Sequence, residues 1–182
     1  MKLEVLYEDN HCIAAVKPSG MLSQGDKTRD RSFMDDVKHY LKEKYKKPGN
    51  VFLGLVHRID RPVSGIVLFA KTSKGASRLS EQFRNHTILK TYHALAIGMF
   101  KQKRGALFSR IAKDERRKKA KAGERGKSAE LEYGVVEEGN GHTLLALHAK
   151  TGRFHQIRFQ LAEVGHPIVG DVKYGAGGGF TR

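Results

Sequence analysis

No uninterrupted apolar run in this chain is longer than Ile66–Ala70. A membrane-spanning helix needs about 20 apolar residues in a row, so no such span is expected. Runs this short, separated by Gly, Pro, Asn and Asp, build short strands better than long buried helices. The chain must therefore make its core by bringing many small elements together. With 182 residues, 39% of them hydrophobic and 20 glycines besides, it has the length and apolar content of one ordinary globular domain. The start, MKLEVLYEDN, turns acidic at once and has no apolar core of a secretion signal. A single cysteine, Cys12, closes no internal disulfide and is too little for a zinc ribbon or iron–sulfur cluster. Both features predict a cytoplasmic protein.

The elements follow from local pattern. Leu3–Tyr7 and Cys12–Val16 read as strands joined by a polar turn, and Lys17-Pro18-Ser19-Gly20 breaks the second. Ser32 with Asp35 three residues on is the charged relative of a capping box. It opens a helix whose stripe is Phe33, Val37, Tyr40 and Leu41, running to about Tyr45. Gly65–Ala70 is a buried strand by composition, and Thr72–Asn85 a second helix with Ala76, Leu79 and Phe83 on one face. Thr91–Gly98 is a strand. Ala129–Val136 alternates and leads through Asn140-Gly141 into Thr143–Ala149, which predicts a hairpin with a longer loop. His155–Val164 reads as a third helix closed by Gly165. The expected class is α+β, a mostly antiparallel mixed sheet with helices packed on it.

Charge supplies the first functional clue. Thirty-four Lys and Arg against nineteen Asp and Glu give a formal net charge of +15. Such a field concentrates polyanions, and nucleic acid is the natural partner. Residues 104–127 carry much of it, in Arg104, Arg110, Lys113, Arg116, Arg117, Lys118, Lys119, Lys121, Arg125 and Lys127. Their apolar content predicts an inserted basic arm rather than a core element.

Two stretches could hold chemistry. His57, Arg58, Asp60 and Arg61 stand together just before the strand at 65–70. A carboxylate between cations on a loop stiffened by Pro62 suits a nucleophile or general base, although an isolated Arg-x-Asp is more often a surface ion pair. The second stretch, Lys150–Gly175, holds Arg153, His155, Gln156, Arg158, His166 and Lys173. On a helix, Phe154, Arg158 and Leu161 share a face, so Arg158 turns inward and needs a carboxylate, with Asp60 and Asp171 as the candidates.

Taken together these segments resemble the RluA-type RNA pseudouridine synthases. The H-R-L-D-x-x-x-S-G signature of that family stands as HRIDRPVSG, and G-R-T-H-Q-I-R…G-H-P-I-x-G-D…Y-G as GRFHQIRFQLAEVGHPIVGDVKYG. The opening L-Y-E-D…K-P-x-G is LYEDNHCIAAVKPSG, and the K-x-Y-x-A-x-x-x-G strand is KTYHALAIG. The departures are Ile59 for the commoner Leu, Val63 for Thr, and Phe154 for Thr or Ser. Family members continue past the Y-G motif with a further strand and tail. This chain ends in Gly177-Gly178-Gly179-Phe180-Thr181-Arg182, so the resemblance predicts a single catalytic domain over 1–182 whose C-terminal end is missing.

The resemblance implies a domain with a central active-site cleft that isomerises uridine in rRNA or tRNA. It needs no cofactor and no metal, and its partner is structured RNA, with no membrane involved. Asp60 matches the catalytic aspartate, Arg158 the basic residue paired with it, and Tyr92 the tyrosine lying against the target base. Arg58 matches the arginine that fills the place of the flipped base; His57, Arg61, Arg153, His155 and Gln156 fall among the substrate-binding positions. HRIDRP is reminiscent of members acting on tRNA, but two residues do not separate tRNA from rRNA. One rival reading is a noncatalytic RNA-binding module on the same scaffold, which would need Asp60 or Tyr92 to be lost. The other is a hydrolase or phosphodiesterase, for which metal-ligand spacing is absent. The chain shows no obvious apolar docking stripe, and a monomer is expected.

Overall fold

The computed structural model describes residues 3–175. The glycine-rich end at 177–182, and the expectation of a missing strand built on it, lie outside the described residues. The chain divides into two compact units, the first ending at Ile88 and the second beginning at Leu89. The antiparallel α+β architecture holds, and two sheets carry it. Among the described residues no helix is long and apolar enough to cross a membrane.

In the first unit the strands are β1 (Val5–Glu8), β2 (Cys12–Lys17), β3 (Gly54–Leu55) and β4 (Gly65–Ala70), with α1 (Phe33–Lys44) and α2 (Ser73–Arg84) between and after them. The sheet order is β1-β2-β4-β3 and every pairing is antiparallel. Ile13 and Ala15 of β2 and Val67 and Phe69 of β4 form one buried face, on which α1 lays Phe33, Val37 and Leu41. Each such side chain contributes about 1.5–3 kcal/mol by leaving water. The capping box forms as expected: Ser32 accepts from the Asp35 N–H, and the Asp35 carboxylate accepts from the Ser32 N–H. β4 is less buried than its composition suggests, because Ile66 lies on the far face and is 56% exposed. Beside α1, Glu8 accepts from Lys44, Lys71 and Tyr45.

The second unit holds β5 (Thr91–Ile97), β6 (Arg104–Asp114), β7 (Lys119–Ala122), β8 (Lys127–Gly139), β9 (His142–Ala149) and α3 (Gln156–Glu163). Its sheet runs β5-β9-β8-β6-β7. Leu131, Leu145, Leu147 and Ala96 pack on Leu161 of α3. The β8–β9 hairpin closes more tightly than expected. Gly139 pairs with His142, and Asn140 and Gly141 both have positive φ (51° and 73°), the two-residue turn that Asn-Gly favours. A bulge near Val136 turns that side chain outward. Gly165 closes α3: its N–H reaches the Ala162 carbonyl and the His166 N–H reaches Leu161. The chain then runs along the open side of β5, where Ile97 N–H donates to Pro167 and Val169 N–H to Leu95.

The stretch expected as a basic arm is instead sheet. β6 pairs with β8 along most of its length and with β7 at its end. Ile111, Ala120 and Ala129 are buried there under Phe159 and Tyr174. Ile111, Ala120 and Ala129 share their face with Lys113 and Lys127, while Arg110, Lys119 and Lys121 lie on the other, so a small core forms although cations stand on both faces. α3 starts one residue later than expected, so Phe154 lies before the helix. It stacks on His155 and sits beneath the Lys113 ammonium.

Candidate active site

Asp60 lies on the loop between β3 and β4, half-buried, with exposed Arg58 and Arg61 on either side. Segment 17–23, which begins at the last residue of β2, braces that loop almost peptide by peptide. Gly20 N–H donates to the Arg61 carbonyl at 2.8 Å, and Arg61 Nε returns a bond to Gly20 O at 2.9 Å. Ser19 Oγ donates to Pro62 O and Ser23 Oγ to Ile59 O, each at 2.7 Å. Val63 N–H closes a turn on the Asp60 carbonyl. Arg61 also pairs with Asp30 at 2.9 Å, so its guanidinium is used in holding the loop.

Lys17 makes the floor. The alternation that buries Ile13 and Ala15 also points this residue inward, and it is 0% exposed. Its ammonium donates to the carbonyls of Pro18, Met21 and Arg61. Burial pushes the ammonium below its usual value, and the charge of Asp60 opposes that push. A fixed positive charge thus sits close enough to feel the aspartate. His57, expected at the substrate, holds the scaffold as well: Nε2 accepts from the Leu68 N–H at 2.9 Å and the ring stacks on Phe83 of α2.

In the second unit Tyr92 is half-buried on β5, opposite Leu147 and against the Leu131–Leu145–Leu161 cluster. Arg158 turns inward as expected, and Asp171 pairs with it. Nε and Nη2 reach Oδ2 and Oδ1, both at 2.7 Å, a bidentate pair with side chains only 13% and 4% exposed. Asp171 Oδ1 accepts as well from the N–H groups of Lys173 and Tyr174. Burial alone would raise this carboxyl, but Arg158 and the two N–H groups outweigh it and hold it below its usual range. The Tyr174 ring lies under the Arg158 guanidinium at 5.2 Å, and its hydroxyl meets His155 Nδ1 at 2.8 Å. His155 has a left-handed backbone, φ 51°. A non-glycine residue takes that conformation at a cost, so the surroundings hold it there.

Gln156, expected at the substrate, is bonded within its own unit. It is 4% exposed, its Oε1 accepts from Thr151 Oγ1 and Arg153 N–H, and its Nε2 donates to Glu130 O. Arg153 keeps its Nε on the Ser128 carbonyl. Sequence reasoning passed over Ser23, which carries no local signal, and gave no role to Lys17 or Tyr174 although both stand in the K-P-x-G and Y-G motifs. The inward turn of Lys17 was detectable by continuing the period of β2 past Val16. Among the described residues no group of three or more His, Cys, Asp or Glu gathers to hold a metal.

Residues 11–163 match the family model described as RNA pseudouridylate synthase. The ribosomal large subunit pseudouridine synthase C of Vibrio parahaemolyticus is 34% identical over 171 residues, covering 94% of this chain and 52% of that protein. The tRNA pseudouridine synthase C of Haemophilus ducreyi is 33% identical over 190 residues, covering 96% and 75%. The solved structure of human RNA pseudouridylate synthase domain containing 4 superposes with a TM-score of 0.81 at 23% identity, over 96% of this chain and 70% of that one, a likeness of fold. The chain spans about half the length of the first of these relatives. Matched over most of its length by the family model and by a relative it covers to three quarters, the chain belongs to the RNA pseudouridylate synthase family.

Proposed function

We propose that the protein isomerises uridine to pseudouridine in ribosomal or transfer RNA, with Asp60 as the catalytic aspartate. The observation that carries this is the bracing of the Asp60 loop. The carbonyls of residues 59, 60, 61 and 62 all accept hydrogen bonds, and that of Arg61 also takes one from the buried Lys17 ammonium. A surface ion pair needs no such support, whereas a reacting carboxylate needs its position fixed to a fraction of an ångström. In the reaction the N1–C1′ bond breaks, a C5–C1′ bond forms, the C5 proton leaves and N1 gains one. No electrons are exchanged, so the proposed activity needs no cofactor.

In this reading Tyr92 lies against the target base and Arg158, kept in place by Asp171, is the basic residue of the site. The exposed Arg58 can stack its planar guanidinium where the extruded base has left the helix. The exposed cations of the β6–β7 hairpin, Arg116, Arg117 and Lys121, supply phosphate contacts. The protein acts as a monomer in the cytoplasm. The test is pseudouridine mapping of total RNA from cells carrying the parent gene, Asp60→Asn, or neither. Sites present with the parent and lost in both other strains are expected. Sites retained with Asp60→Asn at more than a few per cent would refute Asp60 as catalytic.

A further inference from the structure

Ser23 is 5% exposed, and its hydroxyl works in two directions on one neighbour. It donates to the Ile59 carbonyl at 2.7 Å and accepts from the Ile59 N–H at 3.3 Å. These groups belong to the two peptide units on either side of the Ile59 Cα, and the second unit contains the nitrogen of Asp60. Fixing both removes most of the freedom of the backbone that leads into the aspartate. On the other side of Asp60 the carbonyls of Arg61 and Pro62 are held by Gly20, Lys17 and Ser19. The loop is therefore gripped from both sides, and the Ser23 hydroxyl is the grip on the leading side.

We propose that Ser23 is a positioning residue for the chemistry at Asp60, acting through the Ile59 peptide to aim the carboxylate. This deepens the reading of Asp60 as the catalytic aspartate and rests on it. A tilt of roughly 20° in that peptide, over the reach of an aspartate side chain, moves the carboxylate by about 1 Å. A misplacement of that size costs on the order of 10²-fold in rate. Ser23 touches neither the RNA nor the reacting atoms in this scheme, so substrate binding should not depend on it.

The experiment measures tritium release from bulk rRNA and tRNA labelled at uracil C5 and prepared from cells lacking the protein, using the full chain. Ser23→Ala should lower kcat by about 10- to 100-fold with KM within twofold of the parent. Ser23→Thr, which keeps the hydroxyl, should recover kcat to within a few-fold. Ser23→Cys keeps the volume with weaker hydrogen bonds, should fall between them, and carries the test should the alanine chain not fold. Parental kcat in a folded Ser23→Ala or Ser23→Cys chain overturns the proposal, and so does Ser23→Thr no better than Ser23→Ala. Release by the parent, abolished in Asp60→Asn, establishes the underlying reading separately, so a parental rate in the Ser23 variants would count against the Ser23 assignment alone.

Discussion

Asp171→Asn is the substitution whose cost the structure defines best. The native carboxylate accepts two guanidinium N–H groups at 2.7 Å and two backbone N–H groups, with only 4% of its side chain exposed. An amide of the same shape keeps one acceptor and turns the other into a donor. That donor must face either Arg158 or the backbone N–H groups of the 173–174 turn. Breaking one side of a buried pair in this way costs about 3–5 kcal/mol. For a chain of this length that is a fall of roughly 6–20 °C in melting temperature. The pH dependence gives a second reading. The folded carboxyl lies below its ordinary value of 3.8, so its contribution is fully present above that value and is lost as pH falls through the folded value. Urea unfolding at pH 7 should therefore separate parent from variant by the full amount, and at pH 3 by less. A double-mutant cycle with Arg158→Met should give a coupling above about 2 kcal/mol. A variant within about 1 kcal/mol of the parent at pH 7, or a gap of the same size at both pH values, would refute the account.

Three further outcomes are expected. Burial works against the Glu8 carboxylate, but bonds from Lys44, Lys71 and Tyr45 prevail and hold it at about 2, against an ordinary 4.5. Its stabilisation, on the order of 2–3 kcal/mol, is complete above pH 4.5 and fades toward pH 2, so Glu8→Gln should destabilise at pH 7 and converge with the parent in acid unfolding. Lys17→Met should lower turnover more than RNA affinity, because three carbonyls around the Asp60 loop lose their donor; equal losses in kcat and binding would contradict this. Changing Arg116, Arg117 and Lys121 to Gln should weaken RNA binding and flatten the plot of log affinity against log salt by roughly 0.7–0.9 per lost contact, with turnover at saturating RNA preserved. An unchanged slope would remove the hairpin from the binding surface.

What could be read in the sequence was whatever local chemistry decides. Ser32 with Asp35, Asn140-Gly141 and Gly165 all act within a few residues of themselves, and each marks a terminus or turn close to where it was expected, the hairpin turn being tighter. The β6–β7 hairpin was misread because its composition was averaged. Ile111 and Ala120 are each the one buried residue of a strand otherwise partly or fully exposed, and an average over 104–127 hides them. Lys17 was hidden by the rule that Pro18 ends a strand, which says nothing about where the last side chain points. That Asp171 pairs with Arg158 depends on the tertiary path after α3, which returns Asp171 to the helix. Polar residues proved the least legible. Gln156 and His57 stand in motifs expected at the substrate, and each also bonds backbone groups of its own unit, a task that a motif does not announce.

The five-stranded sheet of the second unit has two outer strands, and each is a place where another chain could add itself and begin an aggregate. The molecule closes the two in different ways. Along β5 the segment after α3 has already taken the vacant hydrogen-bonding positions, with bonds at Leu95 and Ile97 and a bridge from Ala96 to Ile168. At the other side β7 is only four residues long and carries Lys119 and Lys121, so an incoming strand would find little to pair with and two positive charges to bury. Basic residues along this strand thus keep the sheet soluble as well as attractive to polyanions. Exchanging them for β-branched apolar residues would turn the hairpin into a seed for self-association.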